Sequence, residues 1–154
     1  MTLELKDLLI DKPVCLIYWE LKTPLESVSQ YFFQNNFEVK ILKDKSELEA
    51  WLKLEMVKVV ICAGNGLEEV QDLKTLLDTL PIEKRRKIFV IYIFPSENTL
   101  DPEKTFLLSA NLLISEKDLE FFEKIYSKAS LYWEILYRNY YKALESFSEE
   151  VLTS

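Results

Sequence analysis

Histidine is absent from this 154-residue chain, and glycine occurs only twice. Without imidazole, Ser-His-Asp and Cys-His couples, imidazole metal sites and phosphohistidine relays are excluded. Cysteine is scarce too. Two thiols cannot complete a Cys₄ zinc site. Cys15 and Cys62 both sit inside apolar runs, Val14-Cys15-Leu16-Ile17 and Val60-Ile61-Cys62-Ala63, and read as buried, reduced small hydrophobes. An excess of positive charge is also missing. Nineteen bases against 26 acids leave a net charge of −7, which disfavours nucleic acid and anionic membrane as partners. The longest apolar run, Ile88 to Pro95, has strand length and falls far short of the ~20 residues of a membrane helix. The N-terminal stretch meets acids early and shows no small-residue cleavage site, so no signal peptide is expected and the cytoplasm is the expected compartment. No cofactor motif, metal-ligand spacing or base–nucleophile pair can be named, so neither a cofactor nor an enzymatic activity is expected.

What is present is a core-forming chain, 49% hydrophobic and 29% charged. Its patterning alternates between two periods. Pro13 to Trp19 is a short apolar run opened by a proline, where a strand tolerates one. Thr23-Pro24-Leu25-Glu26 supplies a cap, a proline and a first-turn acid, and predicts a helix over 24–35 with Val28 and Phe32 inward. Phe37 to Leu42 alternates as a strand exposed on one face. Ser46-Glu47-Leu48-Glu49 reads as a capping box opening a helix that buries Leu48, Trp51 and Leu52. Val57 to Cys62 is a buried strand. Gly64-Asn65-Gly66 is a turn expected to need positive φ. Leu67 to Leu80 carries a helical stripe of Val70, Leu73, Leu76 and Leu77, ended by Pro81. The basic run Lys84-Arg85-Arg86-Lys87 reads as a solvated loop before the strand Lys87–Phe94. A looser stretch with a helical turn over 105–109 leads to a short strand at Leu112-Leu113-Ile114. Ser115, with Asp118 three residues on, is expected to cap a last helix running to about Phe147, on the order of 45 Å at 1.5 Å per residue.

Strands alternating with helices predict an α/β fold with parallel pairing, right-handed crossovers and helices on both faces. Five strands suggest the flavodoxin-like, three-layer α/β/α arrangement of order 2-1-3-4-5 with a long C-terminal helix. The half-exposed second strand suits an edge, and the unbroken apolar runs suit the centre. The division expected is an α/β domain over 1–126 and a helical extension over 127–154.

One stretch reads Ser109-Ala110-Asn111-Leu112-Leu113-Ile114-Ser115-Glu116-Lys117-Asp118-Leu119. Together with the element order over about 12–126, it resembles the receiver domains of bacterial two-component response regulators. That resemblance implies a carboxylate phosphoacceptor ending strand three, two acids holding Mg²⁺ after strand one, a hydroxyl after strand four and a lysine after strand five. Here strand three ends Cys62-Ala63-Gly64-Asn65 and strand one is followed by Glu20 alone. Ser96 offers a hydroxyl, Ser115 stands at the lysine position, and Lys117 comes two residues late, which aims it elsewhere. Metal-assisted phosphorylation needs all these parts together. A degenerate receiver acting by protein contact is therefore expected.

Two candidate surfaces follow. Gly64, Asn65 and Gly66 lie at the carboxyl ends of the strands, where ligands bind in this class, with Glu20 and Ser96 beside them. They form the alternative reading, a small-anion or nucleotide site. The last helix carries one apolar stripe of Phe122, Ile125, Ala129, Tyr132, Leu136, Tyr140, Ala143 and Phe147, and a second of Trp133, Tyr137, Tyr141 and Leu144. A helix on one core needs a single stripe. Tyr132, Trp133, Leu136, Tyr137, Tyr140 and Tyr141 are thus candidate interface residues for a protein partner, with a homodimer expected.

Overall fold

The computed structural model describes residues 3–153. Its sheet has five parallel strands: β1 (Val14–Trp19), β2 (Glu38–Ile41), β3 (Val57–Ala63), β4 (Phe89–Phe94) and β5 (Leu112–Ser115). Their spatial order is β2-β1-β3-β4-β5. Helices cover both faces. They are α1 (Leu5–Leu8), α2 (Glu26–Gln34), α3 (Lys45–Trp51), α4 (Leu67–Asp78), α5 (Ile82–Arg86) and α6 (Pro102–Leu107), then a 3₁₀ turn over Glu116–Phe121 and α7 (Phe122–Thr153). The flavodoxin-like architecture read from the sequence is the one found. The chain divides into two compact units, Met1–Phe122 and Glu123–Ser154.

The first unit is organised by strand alternation, which sends successive side chains to opposite faces. Val14, Leu16, Val57, Val60, Cys62, Val90, Tyr92 and Leu113 form one buried cluster with Leu48 and Trp51 of α3 and Val70, Leu73 and Leu77 of α4. Cys15, Ile17, Val59, Ile61, Ile91 and Ile93 point the other way and are equally buried. On the α2 side, Phe32 lies edge-on to Phe37 (5.1 Å between ring centres) and to Phe122 (5.8 Å). β2 is one of the two edge strands, half-exposed along most of its length, with Lys40 and Glu38 as its charged residues. Charge on an edge discourages pairing with a foreign strand. Lys40 also reaches the largely buried Asp7 (3.6 Å), tying α1 to that edge.

Several helix starts differ from the sequence expectation. Thr23 is not a cap. Its hydroxyl donates to Glu116 Oε1 (2.5 Å) and its carbonyl accepts the Trp19 indole N–H (2.7 Å), so α2 begins only after Leu25. Asp44, not Ser46, caps α3 by accepting the Glu47 N–H (3.0 Å), because an aspartate two residues upstream reaches the orphan amide first. Ser115 makes no side-chain cap. The turn after it is 3₁₀, and Asp118 accepts instead from Thr99 Oγ1 (2.6 Å). The helical turn near 105–109 is α6, capped by Asp101 on the Lys104 N–H (3.1 Å).

The basic run is not a loop. It closes α5, and Arg85 reaches the carbonyls of Ile88 (2.9 Å) and Ser109 (2.7 Å) and Asn111 Oδ1 (3.1 Å). Asn111 Oδ1 also accepts the buried Val90 N–H (2.9 Å) while the Asn111 N–H donates to Val90 O (2.9 Å). The amide side chain thus extends the β4–β5 ladder by one rung.

Candidate functional site

The carboxyl ends of β1, β3 and β4 meet in register: Tyr18 beside Cys62, Trp19 beside Ala63, Cys62 beside Tyr92 and Ala63 beside Ile93. The ladder runs one step further on each side. The Glu20 N–H donates to Ala63 O (2.9 Å) and the Gly64 N–H to Ile93 O (3.2 Å). This fixes the loops that carry Glu20 and Gly64-Asn65-Gly66 next to each other. Asn65 fastens the pair, its Nδ2 donating to Glu69 Oε1 (3.0 Å) and at longer range to Glu20 O (3.4 Å). Glu20, Gly64, Asn65 and Gly66 are therefore gathered at one point. Ser96 follows Phe94 and Pro95 on an exposed turn after β4.

Neither glycine takes positive φ. Gly66 is extended (φ −164°), a conformation open to any residue, and stands at the cap position of α4. The reason for Gly64 is space. A Cβ there would lie 3.1 Å from Glu69 Cβ and 3.3 Å from Val70 Cγ1, so the bare backbone lets the first turn of α4 close on the end of β3. Among the described residues, those that do adopt positive φ are Asn36 (67°), Leu100 (62°) and Ser109 (54°).

The chemistry of the cluster is acidic. The Glu69 carboxylate would lie 3.5 Å from a Cβ on Gly64, and the Glu68 carboxylate 3.0 Å from one on Gly66. With Glu20, three carboxylates surround the loop, which weighs against an anion there. Tyr18 was not singled out from the sequence, yet it belongs to this group. Partial burial raises its phenol above the ordinary range, and the hydrogen bond to Glu20 with the negative charge of Glu20 and Glu69 raises it further. Cys62 lies just below, fully buried, and burial pushes its thiol up to about 12. A thiolate nucleophile needs the opposite shift. Among the described residues, no three His, Cys, Asp or Glu side chains come together to hold a metal ion.

The β5 end has a different character. Ser115 is fully buried, and among the described residues its hydroxyl has no hydrogen-bond partner. Its backbone N–H donates to Thr99 Oγ1 (2.8 Å), and that hydroxyl passes its own proton toward Asp118. Thr99 is the polar residue that organises this corner. Nothing in its local pattern marks it, because both partners lie 16 or more residues away.

The candidate interface residues all fall on α7. Tyr132 (62%), Leu136 (42%), Tyr140 (42%) and Tyr141 (44%) are exposed, as are Leu131, Ile135, Leu144 and Phe147. Trp133 and Tyr137 are half-buried. Their rings lean on neighbours along the helix: Tyr132 on Trp133 (6.0 Å), Trp133 on Tyr137 (5.5 Å) and Tyr140 on Tyr141 (5.5 Å). Among the described residues no helix is long and apolar enough to cross a membrane.

No family model matches the chain, and no curated protein matches it. Among solved structures, a response regulator receiver protein from Pseudomonas putida superposes with a TM-score of 0.55 at 12% identity, covering 78% of this chain and 99% of that one. Sheet order, helices on both faces and this likeness together give the chain a receiver-like fold.

Proposed function

We propose that this chain is a degenerate receiver: a non-catalytic, cytoplasmic protein–protein interaction module that pairs with a second copy of itself through the extension of its last helix, residues 127–154. The observation that carries the reading is the end of β3. Where a phosphoacceptor carboxylate would stand, the chain has Ala63 and Gly64, closed down on by α4. The nearest alternative nucleophile, Cys62, is buried and held protonated. Glu20 is already engaged by Tyr18. Charge neutralisation by a lysine is not at hand, since Ser115 occupies that place. The exposed aromatic surface of α7 supports recognition as the remaining role, because apolar patches of that kind mark interfaces.

Two measurements test it. Intact-mass and amide NMR spectra with acetyl phosphate or beryllofluoride plus Mg²⁺ are expected to be unchanged. A stoichiometric, Mg²⁺-dependent adduct refutes the loss of phosphoacceptor chemistry. Light scattering of the full chain is expected to give twice the mass of one chain, and the Tyr137→Ala/Tyr140→Ala variant a single chain. A monomeric parent removes self-association.

A further inference from the structure

The orientation of the second copy can be read from α7, and this step rests on the self-association proposed above. Trp133, Tyr137, Tyr140, Leu144 and Phe147 recur at spacings of four, three, four and three. That is the 3.5-residue repeat of a two-helix seam. Leu136 and Ala143 widen it on one flank. Around the rest of the helix the same repeat is interrupted, at Asn139 and Ser146 on one line and at Arg138, Lys142 and Glu145 on another. Tyr140, Leu144 and Phe147 are 42%, 43% and 64% exposed. A buried aromatic side chain contributes about 150–250 Å². Partial burial of four such rings and of Leu144 and Leu136 on each of two chains approaches the roughly 1,200 Å² of a specific interface.

Charge decides the direction. From Lys124 to Lys142 the helix carries Lys124, Lys128, Arg138 and Lys142 against Glu134 alone. From Ala143 to Glu149 it carries Glu145 and Glu149 and no cation. A parallel pair sets each glutamate beside its own copy and each cation beside its own. It also stacks two acidic ends on two helix carboxyl ends, which already bear partial negative charge. An antiparallel pair centred near Asn139 sets Glu149 of each helix level with Ala129 of the other, beside Lys128.

We infer that α7 pairs with α7 of a second copy in antiparallel orientation, with the two-fold axis passing close to Asn139. Trp133 then falls level with the Leu144 turn of the second copy, and Tyr137 with its Tyr140–Tyr141 pair. Bulky rings meet a smaller side chain at the flanks and each other near the axis.

Spin labels on single cysteines separate the orientations in the full chain. The native thiols are buried and stay unlabelled. In an antiparallel pair, a label at Glu149→Cys lies level with residue 129 of the other copy, an axial separation of about 30 Å at 1.5 Å per residue. A label at Asn139→Cys lies near the axis, with its copy within about 20 Å, two helix diameters. The expected result is a long distance at 149 and a short one at 139. Short distances at both sites, from a protein that light scattering shows to be a dimer, overturn the antiparallel arrangement and leave self-association standing. Long distances at both place the contact elsewhere and overturn the inference. A monomer without any inter-label distance overturns it together with the self-association on which it rests.

Discussion

β3 and the second half of α7 are both apolar, and their fates are opposite. Every side chain from Val59 to Ala63 is buried to 1% exposure or less, whereas Tyr140, Leu144 and Phe147 remain 42–64% exposed. The strand has a neighbour on either side and helices on either face, so its hydrophobicity is consumed by the chain itself. The helix continues beyond the last strand into a unit of its own. Apolar composition therefore announces that a surface will be covered. Whether the covering comes from the same chain depends on topology.

Substitutions on the two sides of that contrast separate them. The largest effect is expected in the sheet unit. Phe32→Ala removes a fully buried ring that contacts Phe37 and Phe122. Chemical denaturation should show a loss of about 3–5 kcal/mol. Next is Asn111→Ala, which leaves the buried Val90 N–H and Arg85 short of an acceptor. A loss of about 1–3 kcal/mol is expected by the same measurement.

A third test is alkaline. The Cys62 thiol is raised from 9.0 to about 12 by burial. Below pH 9 it is neutral whether the chain is folded or unfolded, and stability is unaffected. Between 9 and 12 only the unfolded chain ionises it, so stability should fall by about 1.4 kcal/mol per pH unit from this group. Cys62→Ala should lessen that slope, to which the buried Cys15 thiol also contributes; an unchanged slope places the effect elsewhere. The smallest effect belongs to α7. Tyr140→Ala should change the stability of the sheet unit by less than about 0.5 kcal/mol, as an exposed position does. Its effect should appear in oligomer mass. A large loss of stability with unchanged mass would erase the contrast.

The sheet was legible because its signals are local and redundant. Val57–Cys62 and Ile88–Phe94 are unbroken apolar runs, Phe37–Leu42 alternates, and helices stand between them. The order 2-1-3-4-5 follows from that alternation and is observed. The helix starts were less legible. Thr23, Ser46 and Ser115 all fit capping patterns, yet Thr23 and Ser46 are not the caps, and Ser115 stands at the cap position without a side-chain hydrogen bond to the turn. Thr23 is claimed by Glu116, 93 residues away, and no window along the chain contains both. The basic run read as solvent-exposed because the fork of Arg85 closes on Asn111 and Ser109, 26 and 24 residues on. At the candidate site, neighbours along the chain were evident and neighbours across it were not. Gly64 to Gly66 and Glu20 were placed at the strand ends by topology. The contribution of Tyr18 depends on the lateral register of β1 with β3 and on the hydrogen bond to Glu20.

Thr99 has a consequence of its own. One hydroxyl takes the Ser115 amide proton and gives its own to Asp118, so two segments on either side of α6 are latched without a cation. Added electrolyte weakens attraction between opposite charges and leaves such a latch in place. Trimming the hydroxyl in Thr99→Val, with shape nearly preserved, opens it at any ionic strength.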